Sequence, residues 1–307
     1  MAPGSIRDTS GMKIAITGAS GLIGSALVIH LRAQGHEVLR LVRRPAAAPD
    51  EVTWDVAAGT VDLVGLAGTE AVIHLAGAGV GDHRWTEEYK REILNSRVDG
   101  TATIVRAMTQ LDPKPRVLVA GSAIGWYGDT GDKAVDESDR AGTGFLADVV
   151  RAWEAAADPA AEAGIRVVHA RTGLVVAKAG GAWAKLFPLF RLGLGGKMGS
   201  GRQYWSWISL RDELAALEFL LTSDNISGPV NLTAPHAATN AEVTAAMGRV
   251  LGRPTLLPVP SFALKTALGE FSSEVLGSIR VVPAVLEAEG FTWQDPDIES
   301  AIRAALA

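Results

Sequence analysis

Residues 13–42 read KIAITGASGLIGSALVIHLRAQGHEVLRLV. Lys13 to Thr17 is a short β-rich run that enters a glycine cluster. From Leu22 to Gln34 the apolar residues Leu22, Ile23, Ala26, Leu27 and Leu31 recur at helical spacing. Gly35 then stands where a helix C-cap is expected. Glu37 to Val42 (EVLRLV) reads as a second strand. Strand, turn, helix and strand within about thirty residues make one βαβ unit.

Within that unit the turn is Thr17-Gly18-Ala19-Ser20-Gly21-Leu22-Ile23-Gly24, with glycines at i, i+3 and i+6. Gly18 allows the tight turn, Gly21 lets the backbone approach a pyrophosphate, and Gly24 lets the helix lie close to the strand. The helix start offers free N–H groups and a positive dipole end to phosphates. The expected contact set is Thr17, Gly18, Ser20, Gly21, Leu22, Ile23 and Gly24. A glycine triplet alone is weak, but this one follows a first strand and opens a helix. The alternative is a glycine-rich structural turn.

The end of the second strand separates the two nicotinamide cofactors. An acidic side chain there binds the ribose 2′-OH of NAD. Here the chain runs Val42-Arg43-Arg44-Pro45, and two guanidiniums suit a 2′-phosphate. The expected cofactor is therefore NADP(H); a solvated basic loop is the alternative. Asp55 sits where an acidic side chain could reach the adenine amino group, and Leu75-Ala76-Gly77 would pass beside the cofactor.

Further strand-like runs occur at Val52–Trp54, Ala71–Leu75, Arg116–Ala120 and Ile165–Ala170. Helical patterns lie between them, notably Glu87–Leu111 and Phe145–Ala163. This alternation predicts an α/β fold, a doubly wound parallel sheet of the NAD(P)-binding Rossmann type. After Arg171 glycines and tryptophans crowd a loop region. A helix (Arg211–Leu221), a short strand (Val230–Thr233) and a mainly helical tail from Asn240 follow. The expected division is a dinucleotide-binding domain over 12–178, with 208–234 returning to it, and a smaller C-terminal lobe from 179–207 and 235–307. Residues 1–11 are small and polar and read as a leader or cloning remnant.

Composition removes several function classes. The chain has 307 residues, 48% of them hydrophobic, enough for a large packed core. It has no cysteine, which excludes disulfides, cysteine-ligated zinc and thiol nucleophiles and fits a cytoplasmic setting. The net charge of −5 argues against a nucleic-acid partner. No apolar run is long enough for a membrane span. The six histidines lack metal-ligand spacing, so no metal is expected.

These residues resemble the short-chain dehydrogenase/reductase superfamily in its extended, sugar-nucleotide-epimerase-like form. The matches are Thr17-Gly18-x-x-Gly21-x-x-Gly24, His74-Leu75-Ala76-Gly77, Val98-Asp99-Gly100-Thr101, and Gly121-Ser122 followed by Tyr127-Gly128. More narrowly, the chain is similar to the atypical "epimerase family", commonly called nucleoside-diphosphate-sugar epimerases or cell-division inhibitors. That similarity rests on Arg84-Trp85-Thr86, Asn95-Ser96-Arg97, Gly125-Trp126-Tyr127-Gly128-Asp129, Trp153-Glu154, Trp207-Ile208 and a C-terminal DUF1731-like module from Pro258-Val259-Pro260 to Gly290-Phe291. It implies a small-molecule substrate and a homodimer through Glu87–Leu111 and Phe145–Ala163.

In the superfamily a Tyr moves the proton, a Lys lowers its pKa, a Ser positions the carbonyl and an Asn anchors the relay. Ser122 matches the Ser, and Arg97 falls where the Asn should be. Counting back from Glu154 puts Leu146 and Val150 at the Tyr and Lys positions, or Phe145 and Val149 one register over. Neither register supplies a phenol or an amine. A positioned acid or base is worth about 10²–10⁴-fold in rate. The expectation is an NADP(H)-dependent oxidoreductase or epimerase-like enzyme with a substitute acid/base. The alternative is a non-catalytic NADP(H)-binding regulatory or interaction protein.

Three residues stand as catalytic candidates: Ser122, Tyr127 in the loop beyond it, and Arg97 as oxyanion stabiliser or anion ligand. His83, Arg84, Trp85, Arg202 and Trp205 are candidate substrate contacts. The tryptophans could equally pack two lobes together.

Overall fold

A computed structural model describes residues 11–307, so the expected leader lies outside the described residues except for Gly11. Eight strands form the central sheet: β1 (Lys13–Thr17), β2 (Glu37–Val42), β3 (Glu51–Asp55), β4 (Thr60–Val61), β5 (Ala71–His74), β6 (Val117–Ala123), β7 (Arg166–Thr172) and β8 (Gly228–Leu232). Their order is β8-β7-β6-β5-β1-β2-β3-β4. All neighbours are parallel except β3 and β4. Strand order reverses between β1 and β5, which opens a crevice beyond the carboxyl ends of those two strands.

Both faces of the sheet are buried, as a parallel sheet requires. Ile14, Ile16, Ile73, Val119 and Ala170 face one core, with Leu27 and Leu31 of the helix Leu22–Ala33 and Leu217 and Leu220 of the helix Leu210–Thr222. Ala15, Val72, Leu118 and Val167 face the other, with Ile104 and Met108 of the helix Glu87–Gln110. Residue-by-residue alternation along each strand assigns the two faces. The first helix ends in a Schellman motif: Gly35 (φ +88°) donates to Arg32 O at 3.1 Å and His36 to Leu31 O at 3.1 Å.

Two segments depart from expectation. The helix predicted over Phe145–Ala163 is two helices, Phe145–Ala155 and Asp158–Glu162. Pro159 has no N–H to continue the first, and it sits in the opening turn of the second, where none is needed. The strand predicted at Val230–Thr233 runs Gly228–Leu232 and includes Pro229, which is accommodated because β8 is an edge strand.

The C-terminal part is smaller and mainly helical, with Ser261–Leu268 and Ile298–Leu306 among its helices. Trp183, Phe187, Trp205, Trp207, Met247 and Ile302 form its own core. Leu286 and Trp293 pack instead against the first core of the sheet. No helix among the described residues is long and apolar enough to cross a membrane.

Candidate functional site

The glycine turn closes on itself before it meets any ligand. Gly21 N donates to Gly18 O at 2.9 Å. Gly18 has φ +69°, and a Cβ there would stand 2.8 Å from Leu75 C, so the loops after β1 and β5 touch backbone to backbone. A Cβ at Gly24 would lie well inside van der Waals contact of Gly18 O. Gly21 differs: a Cβ there meets only Gly18 O, at 3.2 Å, and otherwise points into open space. Gly18 and Gly24 are thus required by the fold, whereas the space at Gly21 is spare.

That space lies at the amino end of the helix Leu22–Ala33. Gly21 supplies no capping side chain, and the first turn carries no acid. By contrast, Thr86 and Ser209 cap the helices Glu87–Gln110 and Leu210–Thr222 with their hydroxyls. The first helix therefore keeps its orphan N–H groups and positive end for an external anion. This cradle fits a dinucleotide pyrophosphate. Ser20 is exposed beside it, and Leu22 and Ile23 are half-buried. The Leu22 side chain lies under Gly180, so the segment leading into the helix Gly181–Arg191 leans over the turn.

Thr17 is fully buried, which corrects its expected place among the phosphate contacts. Its Oγ1 accepts from Leu75 N (3.1 Å) and Ala76 N (3.2 Å) and lies 2.7 Å from His74 Nδ1. With both lone pairs taken, the hydroxyl proton goes to Nδ1, and His74 carries its own proton on Nε2. Burial pulls the His74 pKa down to about 4, in keeping with a neutral ring. Thr17 thus positions the Leu75–Gly77 loop. In that loop Leu75 and Ala76 are half-buried and Gly77 is exposed.

Arg43 and Arg44 behave differently. Arg44 is bound bidentately to Glu51 at 2.7 and 2.8 Å. Arg43 is exposed and has no ion pair among the described residues. Asp55 is exposed at the end of β3, and its Oδ1 accepts from Ala58 N at 3.0 Å.

At the end of β6 lies a buried polar chain. Ser122 Oγ donates to Glu154 Oε1 at 2.6 Å. Glu154 also receives Arg171 Nε at 2.8 Å and Nη2 at 2.9 Å. Arg171 Nη1 donates to the Tyr127 hydroxyl at 3.1 Å, and that hydroxyl donates to Asn231 Oδ1 at 2.8 Å. The indole of Trp126 covers the Arg171 guanidinium at 4.0 Å. The sequence places Tyr127 in a loop from which it could reach a substrate. It sits instead in a buried 3₁₀ turn, Ile124–Tyr127, and burial pushes its pKa up to about 12. Its hydroxyl holds Arg171 rather than facing a ligand.

The remaining candidates fall into two groups. Arg97 stays at the site: its guanidinium is half-buried beside Gly77 and stacked on Trp153 at 5.0 Å. His83 is exposed and meets the Tyr89 ring edge-on. Arg84 donates to Thr266 O at 2.9 Å, and Trp85 meets Phe145 edge-on and Phe271 at a tilt, so this loop touches both the helix Phe145–Ala155 and the C-terminal part. Trp205 belongs to the core of the C-terminal part and Arg202 is exposed. Among the described residues no cluster could hold a metal ion.

Sequence reasoning missed Glu154 and Arg171 as site residues. Glu154 was legible only as part of a Trp-Glu motif. Arg171 carried no local signal, because its partners lie 17 and 44 positions away.

The chain matches the model of the NAD dependent epimerase/dehydratase family over residues 14–232, and residues 259–305 match a domain of unknown function, DUF1731. It is 47% identical over 290 residues to Epimerase family protein Mb2239 of Mycobacterium bovis, covering 94% of this chain and 96% of that one. It is 32% identical over 300 residues to human Epimerase family protein SDR39U1, covering 96% and 100%. The crystal structure of human SDR39U1 (isoform 2) with NADPH superposes with a TM-score of 0.88 at 32% identity, covering 96% of this chain and 99% of that one. A glycine cradle at the sheet's reversal point, the buried Ser122 at the end of β6 and these matches agree: the chain belongs to the NAD dependent epimerase/dehydratase family, in its atypical branch with a DUF1731 C-terminal domain.

Proposed function

We propose that this protein is an NADP(H)-dependent oxidoreductase or epimerase-like enzyme acting on a small polar substrate. The observation that carries the proposal is the uncapped start of the helix Leu22–Ala33 behind a turn that leaves space at Gly21. The likeness to human SDR39U1, crystallised with NADPH, supports it. Leu22, Ile23 and Gly24 hold the pyrophosphate through backbone N–H groups, the Gly21 N–H being given to Gly18 O. Arg43 takes the 2′-phosphate, while Arg44 braces β3 through Glu51. Ala76 and Gly77 flank the nicotinamide end. When bound, NADP(H) supplies a hydride donor or acceptor.

The proton then has to move through this chain's own groups. Ser122 is the substitute we assign. Its proton is directed to Glu154, so its free lone pair is left to accept from a substrate hydroxyl. Glu154 is the base behind it, held by Arg171. Tyr127 is a positioning residue that acts through Arg171.

The second reading, a non-catalytic NADP(H)-binding regulator, is favoured by the closed state of Tyr127, whose hydroxyl is satisfied within the protein. A screen of carbonyl compounds and enones for NADPH oxidation separates the two, with Ser122→Ala as control. Turnover that disappears in Ser122→Ala supports the enzyme. NADPH binding with no turnover across the screen supports the regulator.

A further inference from the structure

Arg97 projects from the helix Glu87–Gln110 towards the ends of β5 and β6. Nη1 donates to Ala78 O at 2.9 Å and to Ile93 O at 3.0 Å, which fixes the plane of the guanidinium. One face rests on the Trp153 indole, 5.0 Å from the ring centroid. A Cβ at Gly77 would stand 3.3 Å from Arg97 Cζ, so the β5 loop passes close to the guanidinium.

No carboxylate among the described residues pairs with this guanidinium, and Nε and Nη2 have no hydrogen-bond partner there. Four cations on this helix, the β5 loop and the elements bonded to them are engaged within the protein. Arg84 donates to Thr266 O, Lys90 binds Glu87 and Glu270, Lys185 donates to Gly81 O, and Arg171 binds Glu154. Desolvation lowers the Arg97 pKa to about 10, which still leaves the group charged at neutral pH. A partly desolvated charge without a counterion favours binding an anion. Trp153 adds to the imbalance, since its buried Nε1 also lacks an acceptor. The same indole abuts Gly121, the residue before Ser122.

We propose that Arg97 is a binding site for the carboxylate of a monocarboxylate substrate, a 2-hydroxy or 2-oxo acid whose oxygen lies towards Ser122. This rests on the oxidoreductase reading and names its substrate class. The free Nε and Nη2 of a fixed guanidinium form a two-pronged edge that matches the two oxygens of a carboxylate. A single unpaired cation suits a monoanion, whereas a phosphate dianion calls for a second cation.

The test uses the full chain saturated with NADPH. Short- and medium-chain 2-hydroxy and 2-oxo acids are titrated by saturation-transfer NMR, each beside its own neutral amide, with inorganic phosphate as the competing anion. The expected result is that at least one acid binds at least about tenfold tighter than its amide and than phosphate, the loss set by one charge-assisted pair. Arg97→Gln removes that preference while NADPH affinity stays unchanged, and Arg97→Lys retains part of it. Acid and amide binding alike in the wild type, or a preference that survives Arg97→Gln, overturns the proposal. So does an Arg97→Gln variant that weakens NADPH by the same factor, which would make Arg97 a cofactor ligand. The wild-type comparison decides the matter even if Arg97→Gln folds poorly. Failure to bind NADPH at all counts against the oxidoreductase reading, and is measured first.

Discussion

Ser122 Oγ and Glu154 Oε1 lie 2.6 Å apart, with the hydroxyl as donor, across 32 residues of chain. The Ser122 hydroxyl is tied to an acid that Arg171 grips with two nitrogens. Glu154→Ala strands a buried guanidinium and should cost about 3–5 kcal/mol in urea unfolding. The pair Glu154→Leu/Arg171→Met should recover most of that loss, because apolar groups of similar size need no partner. A double variant as unstable as the single one would show that the network contributes more than its charge balance.

The glycine turn separates binding from folding. Gly21→Val should abolish NADPH binding by calorimetry while leaving a cooperative thermal transition, since its side chain enters the spare space. Gly24→Ala should lower both stability and binding, because its Cβ meets Gly18 O. Equal melting temperatures for Gly24→Ala and the wild type would contradict this packing.

Arg43 and Arg44 should part company. Arg43→Ala is expected to lower the preference for NADPH over NADH by about tenfold or more, the worth of a charge-assisted hydrogen bond. Arg44→Ala should leave that preference nearly unchanged, since its guanidinium is committed to Glu51. Titration of both cofactors against both variants checks it, and the reverse ranking would exchange their roles.

Glu213 introduces a pH dependence of stability. It is fully buried against Thr172 Oγ1 at 2.9 Å, and desolvation raises its pKa to about 8 from 4.5. The folded state therefore keeps a proton that the unfolded chain releases. Stability from this group is fully present below pH 4.5 and is lost as pH rises towards 8. The slope is at most about 1.4 kcal/mol per pH unit. Glu213→Gln should flatten the melting temperature across that window and exceed the wild type at its alkaline end. Parallel pH profiles would refute the assignment.

Sequence alone determined the sheet, the first helix and the glycine cradle, because each follows from local periodicity and from backbone space that only glycine leaves. Leu22 to Gly35 carries its own start, apolar face and stop. It also offered no Tyr and Lys at the positions the superfamily resemblance implies, in either register, Leu146 and Val150 or Phe145 and Val149. Only the tertiary structure decided which residues are free to act. Arg43 and Arg44 are adjacent and alike in sequence, and Glu51 distinguishes them. Tyr127 and Arg97 both read as polar groups near a cleft. Asn231, 104 residues from Tyr127, closes the first, while no carboxylate among the described residues reaches the second. The physical reason is the same in each case: a side chain's availability depends on whether a partner from a distant strand or helix satisfies its hydrogen bonds and charge, and that pairing is settled only when the sheet assembles.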